Sequence, residues 1–240
     1  MASATVTRLL VGVMITSNVT PQHRARMRTV TTQALECGCD AKLLFFAGAS
    51  NFDFASEIAE HKDIVQLDFP EKMNEGKTYR WFALANMLRS SFLFDAAFKM
   101  DADTSVDWCS LCRMVADAGA AAAASPDFYV GRLNEGERCG EMPNCPPDRC
   151  VDYSGRCWVY MSGGFYGMSA SALGKLMVHP YTRLNSIGHE DIQVGRWFKR
   201  VLPDVRLVYA DNGVVWCHNS AFHKSYPTGN VRQRWVDCSK

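Results

Sequence analysis

The chain has 240 residues, 48% apolar and 21% charged, enough to bury a substantial core in one large α/β domain or two small ones. Its 26 Lys and Arg are balanced by 25 Asp and Glu, and a net charge of +1 offers no electrostatic basis for binding nucleic acid. The first apolar run, Leu9 to Ile15, is far too short to span a bilayer and lacks the basic flank and cleavage site of a signal peptide. Either the chain is cytosolic as written or a membrane anchor lies outside it.

Leu9 to Ile15 is a continuous apolar run of strand length, the pattern of a buried parallel strand. Pro21 can open a helix, which the spacing of apolar residues carries to about Cys37. Ala41–Ala47 reads as a second strand, Ala55–Glu60 as a short helix and Ile64–Leu67 as a third strand. Thr78–Leu93 reads as a helix and Phe94–Met100 as the next strand. Strands alternating with helices predict a parallel, doubly wound sheet. A helix over Val106–Ala116 and an alanine-rich linker over Ala118–Ala124 follow. Strands at Phe128–Gly131 and Trp158–Tyr160 flank a cysteine-rich loop. Beyond it come the segment Ser162–Gly167, helices at Ala170–Met177 and Asp191–Lys199, and a strand at Val205–Tyr209. One domain over residues 1–240 is expected, in two halves, about 7–105 and about 106–240.

The strand ending at Met100 delivers Asp101 and Asp103, spaced i and i+2. In an extended backbone the two carboxylates face one side and can converge on Mg²⁺ or Mn²⁺, which in turn suit a diphosphate. A D-x-D arises readily by chance, and a solvated strand end is the bland alternative. Ligands of open parallel sheets collect at the carboxyl ends of strands, so Ser17 and Asn18, after the first strand, should share a crevice with the Asp pair.

Four of the ten cysteines, Cys139, Cys145, Cys150 and Cys157, crowd a Pro- and Gly-rich loop. Disulfides, free thiols and zinc are all open there, although the spacings match no zinc-finger pattern. Cys109 and Cys112 lie one helical turn apart and read as core packing. Asn18-Val19-Thr20 is a formal glycosylation sequon, given little weight beside a functional loop.

Several segments together resemble one family, the β1,3-glycosyltransferases of the GT-A fold, Fringe-like and β1,3-galactosyl- or N-acetylglucosaminyltransferases. They are Ile15-Thr-Ser17 with Arg24-x-x-x-Arg28-Thr29, then Asp68-Phe69 with Lys77-Thr78, and Lys99-Met-Asp101-Ala-Asp103. Farther on stand Tyr160-Met-Ser-Gly163-Gly164-Phe-Tyr166, Glu190-Asp191-Ile-Gln-Val-Gly195 and a late Trp-Cys-His218. Val30 replaces the family's usual Trp, and its Y-x-N-L-T core is missing, the marks of a divergent member.

The resemblance implies a GT-A-like single α/β domain with a Rossmann-like, mostly parallel sheet, a nucleotide-binding half at about 7–105 and an acceptor-binding half at about 106–240. It also implies an inverting, divalent-metal-dependent transferase that moves a hexose or N-acetylhexosamine from a UDP-sugar to a glycan or glycoconjugate hydroxyl through a β1,3 linkage. Asp103 is the expected direct ligand of Mn²⁺ (or Mg²⁺), with Asp101 on ribose or metal-bound water and His218 completing the set, His223 in reserve. A buried core role for His218 is the alternative. Ser17, Arg28 and Lys77 are assigned to the donor's phosphates or uracil, against a reading of the two cations as plain surface charges. Asp191, with Glu190 second, is the expected general base, against simple helix capping. Gly163 and Gly164 would admit an acceptor sugar close to the backbone, and Trp158, Tyr160 and Tyr166 would stack on it, unless the aromatics belong to the core. A silent sugar- or nucleotide-binding module and a retaining transferase are the rival functions. The compartment would be a Golgi or secretory-pathway lumen for a soluble catalytic domain, and the cytoplasm for a chain complete as written.

Overall fold

A computed structural model describes residues 6–16, 19–49, 53–121, 126–134, 160–210 and 215–218. Ser17, Asn18, Trp158, His223 and the four loop cysteines lie outside these residues, and of His218 the backbone alone is described.

The chain alternates β1 (Thr7–Met14), α1 (Pro21–Gln33), β2 (Cys39–Ala49), α2 (Ala55–His61), β3 (Ile64–Pro70), α3 (Lys77–Leu88) and β4 (Ala96–Asp101). β5 (Thr104–Val106), α4 (Trp108–Ala120), β6 (Phe128–Asn134), β7 (Tyr160–Ser169), α5 (Ala170–Val178), α6 (Pro180–Leu184), α7 (Glu190–Val201), β8 (Arg206–Tyr209) and β9 (Trp216–His218) follow. Seven strands form one sheet in the order β3-β2-β1-β4-β7-β6-β8. Among the described strands of this sheet, β7 alone runs against its neighbours, β4 and β6; the other described pairings are parallel. β5 and β9 pair separately. The mostly parallel α/β sheet and its flanking helices agree with the sequence expectation.

From Leu9 to Met14, β1 carries no polar side chain because both of its faces are covered. Leu9, Val11 and Val13 join one core with Leu111 and Val115 of α4, while Leu10 and Met14 join a second with Trp81 and Phe82 of α3. Gly12 lies beneath Trp81, where an added Cβ would come within 2.3 Å of the indole. Trp81 in turn donates its ring N–H to the Phe98 carbonyl at 3.0 Å.

Two boundaries and the role of one cysteine pair differ from expectation for physical reasons. α3 stops at Leu88, not Leu93, where the Ser90 hydroxyl donates to the Met87 carbonyl at 3.0 Å and satisfies a helix-end acceptor. The expected alanine linker is partly helix: α4 continues to Ala120 because alanine favours helix and Ala118 is buried in the core. Cys109 and Cys112 are core residues in part, yet they are also bonded, Cys37 to Cys109 and Cys39 to Cys112, with Cα separations of 5.8 and 5.5 Å. The two disulfides fasten the entry to β2 onto α4. Among the described residues no helix is long and apolar enough to cross a membrane.

Candidate active site

β1 has β2 on one side and β4 on the other, so the sheet order reverses there and a crevice opens at the carboxyl ends of β1 and β4. Met14 pairs with Asp101 at that end. Beside it Lys77, fully buried at the start of α3, donates to the Ile15 carbonyl at 2.8 Å and to the Glu71 carboxylate. Burial lowers the Lys77 pKa, and Glu71 offsets part of that shift. The strand does not remain extended through the Asp pair. It ends at Asp101, and Ala102–Asp103 turn the chain into β5, so the two carboxylates flank a turn instead of sharing a strand face. The turn is fixed from outside by the His23 ring, whose Nε2 lies 2.6 Å from the Ala102 carbonyl.

Ala97, Lys99 and Asp101 are alternate residues of β4 and share a face, which brings the Lys99 ammonium to 2.6 Å from Asp101 Oδ1. Lys99 is wholly buried. The same ammonium reaches Glu190 Oε1 at 3.0 Å and the Gly163 carbonyl of β7. Burial alone would lower the Lys99 pKa; the Asp101 and Glu190 carboxylates overcome that and hold it above its ordinary value. Glu190 Oε2 accepts the Tyr166 hydroxyl, so both of its oxygens are engaged.

Glu190 and Asp191 open α7, which turns Val194, Trp197 and Phe198 into the core at helical spacing. A helix start would ordinarily depress a carboxylate pKa. Here burial dominates: Glu190 is pushed up to about 7, Lys99 opposing and Asp191 and Asp101 adding to the rise. Asp191 is raised as well, again first by burial, with the Ile192 N–H opposing. Its Oδ1 accepts that N–H at 2.8 Å, and its Oδ2 faces β7 at Gly163. A side chain at Gly163 would displace Glu190, since a Cβ there would stand 2.7 Å from Glu190 Oε1. Gly188, at φ 124°, makes the left-handed bend that leads into the pair.

The structure therefore gathers Asp101, Gly163, Tyr166, Glu190 and Asp191, five of the residues expected at the site. It revises the duty of several. Tyr166 has no exposed face for a sugar: it is fully buried, 6.2 Å from the Tyr129 ring and 6.3 Å from Phe82, because it stands directly opposite Lys99 in the sheet. What approaches Gly163 closely is Glu190, and the Gly164 carbonyl accepts the Thr104 hydroxyl at 3.1 Å. Neither Arg28 nor Lys77 is a plain surface cation. Arg28 pairs with Asp63 at 2.6 Å and Glu57 at 2.8 Å, and Glu57 also holds the buried Arg24. Lys99 received no role from the sequence, although a lysine inside a buried strand, two residues before an aspartate, was a legible signal.

For a divalent cation, Asp101 and Asp103 supply hard oxygen donors of suitable chemistry. The β5–β9 pairing sets His218 opposite Thr104, one residue beyond Asp103. Among the described residues no three ligating side chains gather into a metal cluster.

A family model described as galactosyltransferase matches residues 24–206, so the chain belongs to the galactosyltransferase family. It is a glycosyltransferase enzyme. Similar solved structures include the galactosyltransferase LgtC in complex with donor and acceptor sugar analogues, at 12% identity and a TM-score of 0.44, covering 86% of this chain and 75% of that one. HddC from Yersinia pseudotuberculosis matches at 9% identity and 0.42, covering 88% and 93%. A glycosyltransferase involved in glycosylation of the major capsid of PBCV-1 matches at 9% and 0.43, covering 88% and 92%. No curated protein sequence matches the chain.

Proposed function

We propose that the protein is an inverting transferase that moves a hexose or N-acetylhexosamine from a UDP-sugar to a glycan or glycoconjugate hydroxyl, forming a β1,3 linkage, with Mn²⁺ or Mg²⁺ at the Asp pair. The buried Glu190–Asp191 pair, tied through Lys99 to Asp101 at the sheet's switch point, is the observation that supports it most. The UDP donor and the linkage come from the family resemblance of the motifs.

Asp103 and His218 would hold the cation, with Asp101 assisting. When bound, it would supply Lewis-acid neutralisation of the departing diphosphate. Ser17 and the crevice at Ile15 and Lys77 would receive the nucleotide; Lys77 and Arg28, both paired within the chain, act by fixing the elements around it. Asp191 is the base. It takes the acceptor hydroxyl's proton as the acceptor oxygen bonds to the anomeric carbon and the bond from that carbon to the diphosphate oxygen breaks, releasing UDP. Burial raises its pKa, which makes it a stronger base than an exposed carboxylate at a helix start. Glu190 is unsuited to that task because Lys99 and Tyr166 occupy both of its oxygens. Gly163, Gly164 and Trp158 would border the acceptor. A secretory-pathway lumen is the compartment we favour, since two disulfides persist most readily in oxidising surroundings.

The test is UDP release with Mn²⁺ and a panel of UDP-sugars, with the product's anomeric configuration read by NMR. Asp191→Asn should lower kcat by about 10²–10⁴-fold while leaving UDP–Mn²⁺ binding intact. Undiminished transfer would remove Asp191 as base. UDP bound but never released from a sugar would mark a silent module, and a retained anomer would replace inversion with retention.

A further inference from the structure

Lys99 touches three separate elements with one ammonium group: Asp101 at the end of β4, the Gly163 carbonyl in β7, and Glu190 at the first residue of α7. Asp101 belongs to the donor side of the crevice, and α7 presents the base. A fully buried lysine bonded to two carboxylates and a carbonyl is not a solvated strand residue; it is enclosed, and each of its donors has a partner. Tyr166, directly across the sheet from Lys99, fastens the other oxygen of Glu190. The first turn of α7 is thereby pinned to β4 and β7 through Glu190, and Asp191 is the adjacent residue.

Resting on the transferase reading above, we propose that Lys99 is a positioning residue for the reaction: it joins the donor-side carboxylate to the start of α7 and so sets where Asp191 meets the acceptor. Lys99 itself touches no substrate. Its removal should leave each half of the site present but no longer held in register. The effect then falls on turnover more than on substrate binding, because a displacement of about 1 Å in a catalytic group is enough to cost about 10²-fold in rate.

Lys99→Met alone would leave buried carboxylates without a cation and can fail to fold. The informative comparison is therefore E190Q against the double variant K99M/E190Q. In E190Q the amide oxygen still accepts from Lys99, and its NH₂ can donate to the Tyr166 oxygen. Transfer should fall by less than tenfold. In K99M/E190Q the buried charge is removed with its buried partner Glu190, and Asp101, whose side chain is 30% exposed, is left to solvent, so melting should stay near that of E190Q while kcat falls at least about 30-fold further and the donor KM moves less than threefold. Hydrogen exchange should speed up at the amides of residues 190–193 and remain unchanged in α5. A double variant within threefold of E190Q in kcat, with unchanged exchange in α7, would overturn the proposal, as would E190Q alone abolishing transfer, which would make Glu190 the base. If the unmutated protein turns over no UDP-sugar, the functional reading fails and the exchange comparison still decides the tie: faster exchange at 190–193 supports it, unchanged exchange overturns it.

Discussion

Glu190 is the residue whose ionisation should leave the clearest mark on the whole molecule. Its pKa is raised from 4.5 to about 7 in the fold, so between those values the native state binds more protons than the unfolded chain. This group's contribution is therefore fully favourable below about pH 4.5 and is lost as pH rises through about 7. E190Q removes the titration. Its melting temperature relative to the unmutated protein should rise from pH 5 to pH 8, by the equivalent of up to about 3 kcal/mol; a constant difference would refute the shift. Gly163 makes a second residue-scale prediction. A methyl group there meets the Glu190 carboxylate at 2.7 Å, so Gly163→Ala should displace Glu190 and lower kcat more than it lowers Tm. The sequence marked Gly163 as a place of close approach, but a glycine does not say which atom approaches, and within the fold it is Glu190.

Among the elements, the link between the start of β2 and α4 is the most instructive. The disulfides Cys37–Cys109 and Cys39–Cys112 span 72 and 73 residues, nearly the same loop. Once one is closed, the second closes only a ring of a few residues. By loop entropy the first is worth about 4 kcal/mol and the second about 2. Removing either pair by Cys→Ala should cost about 2 kcal/mol, and removing both about 6, more than the sum of the singles. Denaturant melts of the three variants would show it, and additive losses would refute the shared loop. Local spacing could not reveal these bonds, because Cys109 and Cys112 make an ordinary helical core pair until distant cysteines are brought against them. The helix α7, by contrast, was legible in its acidic first turn and in Val194, Trp197 and Phe198. What its sequence hid was the sign of the pKa shift. A helix start argues for lowered carboxylates, and burial, visible only in the fold, reverses that.

At the scale of the molecule, three layers meet where β1 lies between β2 and β4. The spacing of the outer layer there depends on Gly12 receiving Trp81. Gly12→Ala puts a methyl group 2.3 Å from the indole and should destabilise by about 1–3 kcal/mol, with Tm falling accordingly; an unaffected melt would mean that α3 shifts freely.

The sequence by itself determined the alternation of strands and helices and the candidate carboxylates, because hydrophobic period and motif order are local properties of a chain. Only the tertiary structure decided that Asp101 and Asp103 flank a turn, that Tyr166 is a buried partner of Glu190, and that Lys99 binds both sides of the site. The turn is held by His23, 79 residues from Ala102, and the other two facts depend on β7 lying antiparallel to β4 and on α7 starting against both, through contacts between residues as many as 91 apart in the chain. Periodicity along a sequence specifies which face a side chain takes. It carries no record of the charge waiting on the opposite element.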